Sequence, residues 1–162
     1  MNKIIAILLV LMIGCTSSRT LVHHSPGGFR NELSLRASIA REANTFVGTK
    51  YRYGGKDRKG LDCSGLVFTV YQDHALALPR SSSEQMKIGK RITANSAQVG
   101  DLIFFQQNGR INHVAIVTDI RGNDLWVTHS TTSRGVIREK LYDSAYWSSR
   151  IEGVRDIIST NR

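Results

Sequence analysis

The chain has 162 residues, 41% of them hydrophobic, and its 22 Lys and Arg outweigh 13 Asp and Glu to give a net charge of +9 at neutral pH. This length suits one domain with short appendages, and the apolar share supports a packed core, so disorder as the main state is excluded. Two Cys and five His exclude a disulfide scaffold and a Cys-rich zinc centre, and the basic balance favours an anionic partner: nucleic acid, an acidic membrane face or an acidic polymer.

Met1-Asn2-Lys3 sets one positive charge ahead of an almost wholly apolar run, Ile4 to Ile13, which Gly14-Cys15 closes. A positive start and a short apolar run read as a signal peptide, since a bilayer-spanning helix needs about 20 apolar residues. Leu11-Met12-Ile13-Gly14-Cys15 resembles a bacterial lipobox, with Met12 where that pattern prefers Leu. The resemblance implies cleavage after Gly14 and lipidation of the Cys15 thiol, and two or more acyl chains hold a membrane stably where one does not. Residues 1–14 are thus expected to be a lipoprotein signal peptide and residues 15–30 a flexible tether. His23-His24 lies in that tether with no further ligand beside it, so no metal site is expected there. With Cys15 lipidated, Cys63 is the one free thiol.

The domain is expected over 31–162. Leu35, Ile39, Ala43, Phe46 and Val47 recur at helical spacing, with Gly48 suited to the C-terminal cap. Lys50 to Lys59 is basic and Gly-containing and reads as a loop. A second helix is predicted from Asp62-Cys63-Ser64 through Leu66, Val67, Val70 and Tyr71. Ser81-x-x-Glu84 has the spacing of a capping box for a short third helix ending at Gly89. Strands are predicted at 102–105, 114–117, 125–128, 135–138 and 154–158, with Gly109 and Gly122-Asn123 as turns. Helices first and turn-linked strands afterwards give an α+β fold with a largely antiparallel sheet.

Three residues carry the chemistry. Cys63 sits where loop composition gives way to helical periodicity, and a thiol at a helix N-terminus sees unpaired N–H groups and the positive dipole end, both of which favour thiolate. His113 opens one predicted strand and His129 closes the next; in a hairpin turning at Gly122-Asn123 the two meet at the far end, about 5 Å apart. One imidazole is then a base for the thiol and the other orients it, as an activated nucleophile requires.

These stretches resemble the NlpC/P60 family of cysteine peptidases. The matching segments are Tyr51-Arg52-Tyr53-Gly54-Gly55, Asp62-Cys63-Ser64-Gly65, Leu78-Pro79-Arg80-Ser81, Gly100 to Phe105, His113 to Val117, and His129 to Val136, in the expected order over about residues 44–158. The resemblance implies a papain-like fold and hydrolysis of peptidoglycan stem peptides or their cross-links without a cofactor. It also implies Cys63 as nucleophile, His113 as base and His129 as the orienting residue. Tyr51 matches a Tyr whose hydroxyl lies near the oxyanion, and Asp62, Ser64, Arg80 and Ser81 match positions with substrate contact. Ala115 stands where many members have Gly.

A short lipoprotein resembles the type that cuts the D-Ala to diaminopimelate cross-link more than the D-Glu to diaminopimelate type, whose members often carry an added SH3-like domain for which the tether leaves no room. A non-catalytic wall-binding lipoprotein and an acyl transferase or amidase are the rival readings. The expected partners are peptidoglycan and, through the lipid, a membrane, in the cell envelope and facing the periplasm from the outer membrane where a cell has one. The chain is expected to be monomeric. The basic cluster Lys50, Arg52, Lys56, Arg58 and Lys59 comes with no nucleic-acid motif, so wall carboxylates are its expected partners, and Trp126 and Trp147 are expected in the core or the cleft wall.

Overall fold

The computed structural model describes residues 26–159. Cys15, the cleavage position and His23-His24 lie outside the described residues. The order of elements is α1 (Pro26–Thr45), β1 (Lys56–Asp57), β2 (Gly60–Leu61), α2 (Cys63–Asp73), α3 (Ser82–Gln85), β3 (Lys90–Ile92), β4 (Leu102–Gln107), β5 (Arg110–Arg121), β6 (Asp124–Thr131), β7 (Gly135–Lys140), α4 (Ala145–Ser148) and β8 (Ile151–Asp156). The first helix begins at Pro26, inside the segment expected to be tether and ahead of the expected domain start at Asn31. Pro suits this first position, where a backbone N–H has no partner in any case.

Six strands form one antiparallel sheet in the order β3-β8-β4-β5-β6-β7. The chain runs β4-β5-β6-β7 as a meander, and β8 returns to pair with β4. The core lies on both faces of this sheet. Alternate residues of β4 explain it: Leu102 and Phe104 pack with Ile39, Ala43, Leu66, Val67 and Val70 of the two long helices. Ile103 and Phe105 pack on the other side with Ala115, Val117, Leu125 and Val127. A strand buried on both faces reads as an unbroken apolar run, as Leu-Ile-Phe-Phe does here.

The helices are fixed to the sheet by buried polar contacts. Arg36 of α1 is 2% exposed and reaches Asp101 and Asp156, each at 2.8 Å, and Glu32 at 2.9 Å. Tyr71 of α2 donates its hydroxyl to the Gly100 carbonyl. The predicted loop 50–59 contains more order than expected: Lys56–Asp57 pairs with Gly60–Leu61, and Tyr51 bridges Leu61. Its cations are partly used, since Arg52 pairs with Asp57 at 3.2 Å and Arg58 lies 4.4 Å over the Phe46 ring. The result is an α+β fold whose second helix starts beside β5.

Candidate active site

Asp62 caps α2. Its Oδ1 accepts from the Gly65 N–H at 2.7 Å and its Oδ2 from the Gly54 N–H at 2.7 Å. Arg80 closes the same carboxylate, with Nη1 2.9 Å from Oδ1 and Nη2 2.8 Å from Oδ2. Ser64 donates to Oδ1 at 3.2 Å, and Arg80 also reaches the Gly55 carbonyl at 2.9 Å. Burial pushes the Asp62 carboxyl up, but the Arg80 guanidinium and the Gly65 and Gly54 N–H groups together hold it below the usual carboxylate range. Gly65 is required here, because a Cβ would lie 1.9 Å from the Gly55 oxygen. The resemblance implies substrate contact for Asp62, Ser64 and Arg80; the structure joins them to one another as the clamp that presents Cys63, and all three line the cleft beside it. Ser81 caps α3, accepting from the Glu84 N–H at 3.3 Å as the capping-box spacing predicts, and also lines the cleft beside Asp62.

Cys63 is the first residue of α2, and its Sγ lies 3.9 Å from the Asn112 carbonyl. The thiol is pushed up to about 11, chiefly by burial and further by the Asp62 charge. Backbone N–H groups of Val114, Ser64 and Cys63 oppose this without reversing it. Burial of the thiol and the N–H groups at the helix start therefore act in opposite directions. Tyr51 lines the cleft beside Cys63, and its hydroxyl is raised by burial and by Cys63, Asp62 and Tyr53. It therefore stays protonated and able to donate.

His113 and His129 lie inside strands longer than predicted, and Ile116 pairs with Thr128, so the two are diagonal neighbours and not direct partners. Their rings nevertheless meet, with His113 Nε2 2.8 Å from His129 Nδ1. His129 Nε2 is 2.8 Å from Glu139 Oε1 on β7, and Glu139 Oε2 accepts from Arg134 Nη2 at 3.0 Å. Glu139 is held down at about 2, first by its hydrogen bond to His129 and then by Arg134, against the opposing effect of burial. An ionised Glu139 accepts, so His129 carries its proton on Nε2 and presents Nδ1 as an acceptor. His113 then donates from Nε2, which leaves Nδ1 as its basic nitrogen. Burial, with a smaller contribution from His129, pushes His113 down to about 3, so it is neutral at rest.

Trp147 of α4 fixes this ring from outside, stacked on His113 at 4.3 Å between centroids and 19° between planes. Phe105 packs on the imidazole at 5.6 Å. Glu139, Arg134 and Asn112 were not singled out as site residues, whereas Trp147, expected in the core or the cleft wall, lines the cleft. Glu139 follows from placing β7 beside β6, where Val127 opposes Glu139 and His129 opposes Ile137, but a tilted carboxylate is not readable from spacing.

Cys63 stands between two clefts of about 420 Å³ each, sharing Tyr51 and Asn112 as wall. One holds His113, Trp147, Arg134 and Arg150; the other holds Tyr53, Asp62, Ser64, Arg80 and Ser81. A thiol, a neutral imidazole oriented by a second imidazole and a carboxylate, and a groove on either side suit attack on an extended acyl substrate. Among the described residues no group of three or more His, Cys, Asp or Glu could hold a metal ion.

The NlpC/P60 family model matches residues 48–156. The chain is 35% identical to the probable endopeptidase NlpC of Escherichia coli K12, over 95% of this chain and 97% of that protein. It is 34% identical to murein DD-endopeptidase MepS/murein LD-carboxypeptidase of the same organism, over 78% of this chain but 65% of that longer protein. A solved NlpC/P60 family protein from Bacillus cereus superposes with a TM-score of 0.69 at 28% identity, covering 76% of this chain and 40% of that one. The chain belongs to the NlpC/P60 family of cysteine peptidases.

Proposed function

We propose that the protein is a peptidoglycan endopeptidase that cuts a peptide amide through a Cys63 thioester. The observation that carries this reading is the continuous chain His113–His129–Glu139 beside a thiol at the start of α2. His113 Nδ1 takes the thiol proton as Sγ bonds to the scissile carbonyl carbon. Backbone N–H groups at the start of α2, with the Tyr51 hydroxyl, receive the oxyanion. The C–N bond breaks as His113 returns the proton to the departing amine, giving the thioester. Water, deprotonated by the same nitrogen, then releases the acid and restores the thiol.

The favoured bond is the D-Ala to diaminopimelate cross-link. The names of the similar E. coli proteins, probable endopeptidase and murein DD-endopeptidase, support it. The D-Glu to diaminopimelate bond is the second reading, and likeness to a gamma-DL-glutamyl hydrolase of Bacillus subtilis, 37% identical over 74% of this chain and 29% of that protein, favours it only in that both bonds are γ-glutamyl. We further propose anchoring through a lipidated Cys15 in the cell envelope, which rests on the lipobox-like segment. Cys63→Ala should abolish release of muropeptides from purified peptidoglycan while leaving the melting curve intact, and product masses identify the bond. Retained hydrolysis in that variant refutes the mechanism.

A further inference from the structure

Two clefts flank Cys63, and only one of them is lined by His113. Because His113 must reach the departing nitrogen, the leaving half of the substrate occupies that cleft. Its charged lining consists of Arg134 and Arg150, with no Asp or Glu among the described residues. The two cations differ. Arg134 is engaged by Glu139 through Nη2. Arg150 is laid on the Tyr146 ring, its guanidinium carbon 3.9 Å from the centroid, and donates from Nη1 to the Tyr146 carbonyl at 2.7 Å and to Ser149 at 3.4 Å. Its Nε–Nη2 edge takes no acceptor among the described residues, and such an edge fits a carboxylate through two parallel hydrogen bonds.

The position of Arg150 is tied to the catalytic centre. The Gln106 N–H donates to the Arg150 carbonyl at 2.9 Å. The next residue, Gln107, accepts from Asn112 Nδ2 at 3.0 Å through its Oε1, which leaves the Gln107 amide as a second donor to the same cleft. Asn112 in turn carries the carbonyl nearest Cys63 Sγ.

We infer that Arg150, with Gln107, binds a free carboxylate on the leaving half of the substrate, the one α to the amine being released. The inference rests on the peptidoglycan-hydrolase reading above. It also bears on the choice of bond. Cutting the D-Ala to diaminopimelate cross-link releases an amine one carbon away from a free carboxylate. Cutting the D-Glu to diaminopimelate bond of a longer stem peptide releases an amine whose neighbouring carboxyl is tied up as an amide.

The test uses a defined cross-linked muropeptide dimer and a synthetic counterpart in which that one carboxylate is a primary carboxamide. The unsubstituted protein should prefer the carboxylate by about tenfold to a hundredfold in kcat/KM, the range of a charged hydrogen-bonded pair. Arg150→Gln should bring the two substrates to near-equal rates, with the loss on the carboxylate substrate falling in KM, and Arg150→Lys should restore part of the preference. Equal rates on both substrates for the unsubstituted protein, or a preference that survives Arg150→Gln, overturns the inference while leaving the hydrolase reading intact. Failure to cut either substrate or whole peptidoglycan overturns the hydrolase reading and the inference with it.

Discussion

Glu139→Gln isolates the charge at the end of the histidine chain from its shape. The Gln amide oxygen still accepts the His129 Nε2–H at the 2.8 Å position, so His129 keeps its tautomer while the negative charge is lost. The His113 and His129 rings are 5.1 Å apart. With the Glu139 carboxylate about 8 Å from the imidazolium that forms during attack, and an effective dielectric of about 20, their attraction is about 2 kcal/mol. Arg134, 3.0 Å from the far oxygen, offsets part of it. The remaining 1–2 kcal/mol corresponds to about a five- to thirtyfold loss of kcat. KM should be unchanged, because Glu139 is absent from the cleft lining. Glu139→Ala leaves the buried His129 N–H without its acceptor and should lose more. Steady-state hydrolysis of a cross-linked muropeptide dimer measures both. A Glu139→Gln variant within twofold of the parent kcat, or one altered only in KM, refutes the charge argument.

Two further outcomes follow from the buried groups. With Cys63 pushed up to about 11 and His113 down to about 3, the resting pair is neutral. Alkylation of Cys63 by iodoacetamide should therefore rise about tenfold per pH unit from neutral pH towards 11, and a rate already flat below pH 7 would establish a resting ion pair instead. Arg36→Met should destabilise the fold by about 3–5 kcal/mol, as removal of one partner from a buried ion pair does, because it strands Asp101 and Asp156. Asp101, raised by burial to about 6, takes a proton below that value, so the deficit in a urea melt should shrink at pH 5. A deficit that is absent at neutral pH, or constant with pH, contradicts this account.

The sequence carried the elements well where one physical rule governs. Cys63 at the start of α2 and Ser81 at the cap of α3 follow from local periodicity and capping, and both hold. The first helix ends at Thr45, short of the expected cap at Gly48, which instead holds a φ of +91° in the following turn and donates its N–H to the Val136 carbonyl. Strand cores were legible but strand ends were not. β5 runs from Arg110 to Arg121 because pairing with β4 and β6 continues past the apolar run that announces it. The start of α1 was missed for the converse reason, since Pro26-Gly27-Gly28 has loop composition yet is helical.

The candidate site divides along the same line, and the division says what each residue type can encode. Cys63, His113 and His129 announce themselves because few residues can do nucleophile and base chemistry, and the structure brings the two imidazoles into contact. Their electrostatics could not be read the same way. A helix end favours thiolate, but the balance depends on how much water the fold removes, and burial pushes the Cys63 thiol the other way. Asp62 and Arg80 show what a motif match leaves unsaid: the resemblance implies substrate contact for both, and the fold adds that they bind each other and the Gly54 and Gly65 backbone while still lining the cleft. Part of the positive charge is likewise taken up inside the fold. Arg36, Arg80 and Arg134 answer internal carboxylates, and what distinguishes Arg150 is that it faces a catalytic cleft with a donor edge still open. Charge identifies a partner only after the internal pairs are subtracted, and that subtraction needs the fold.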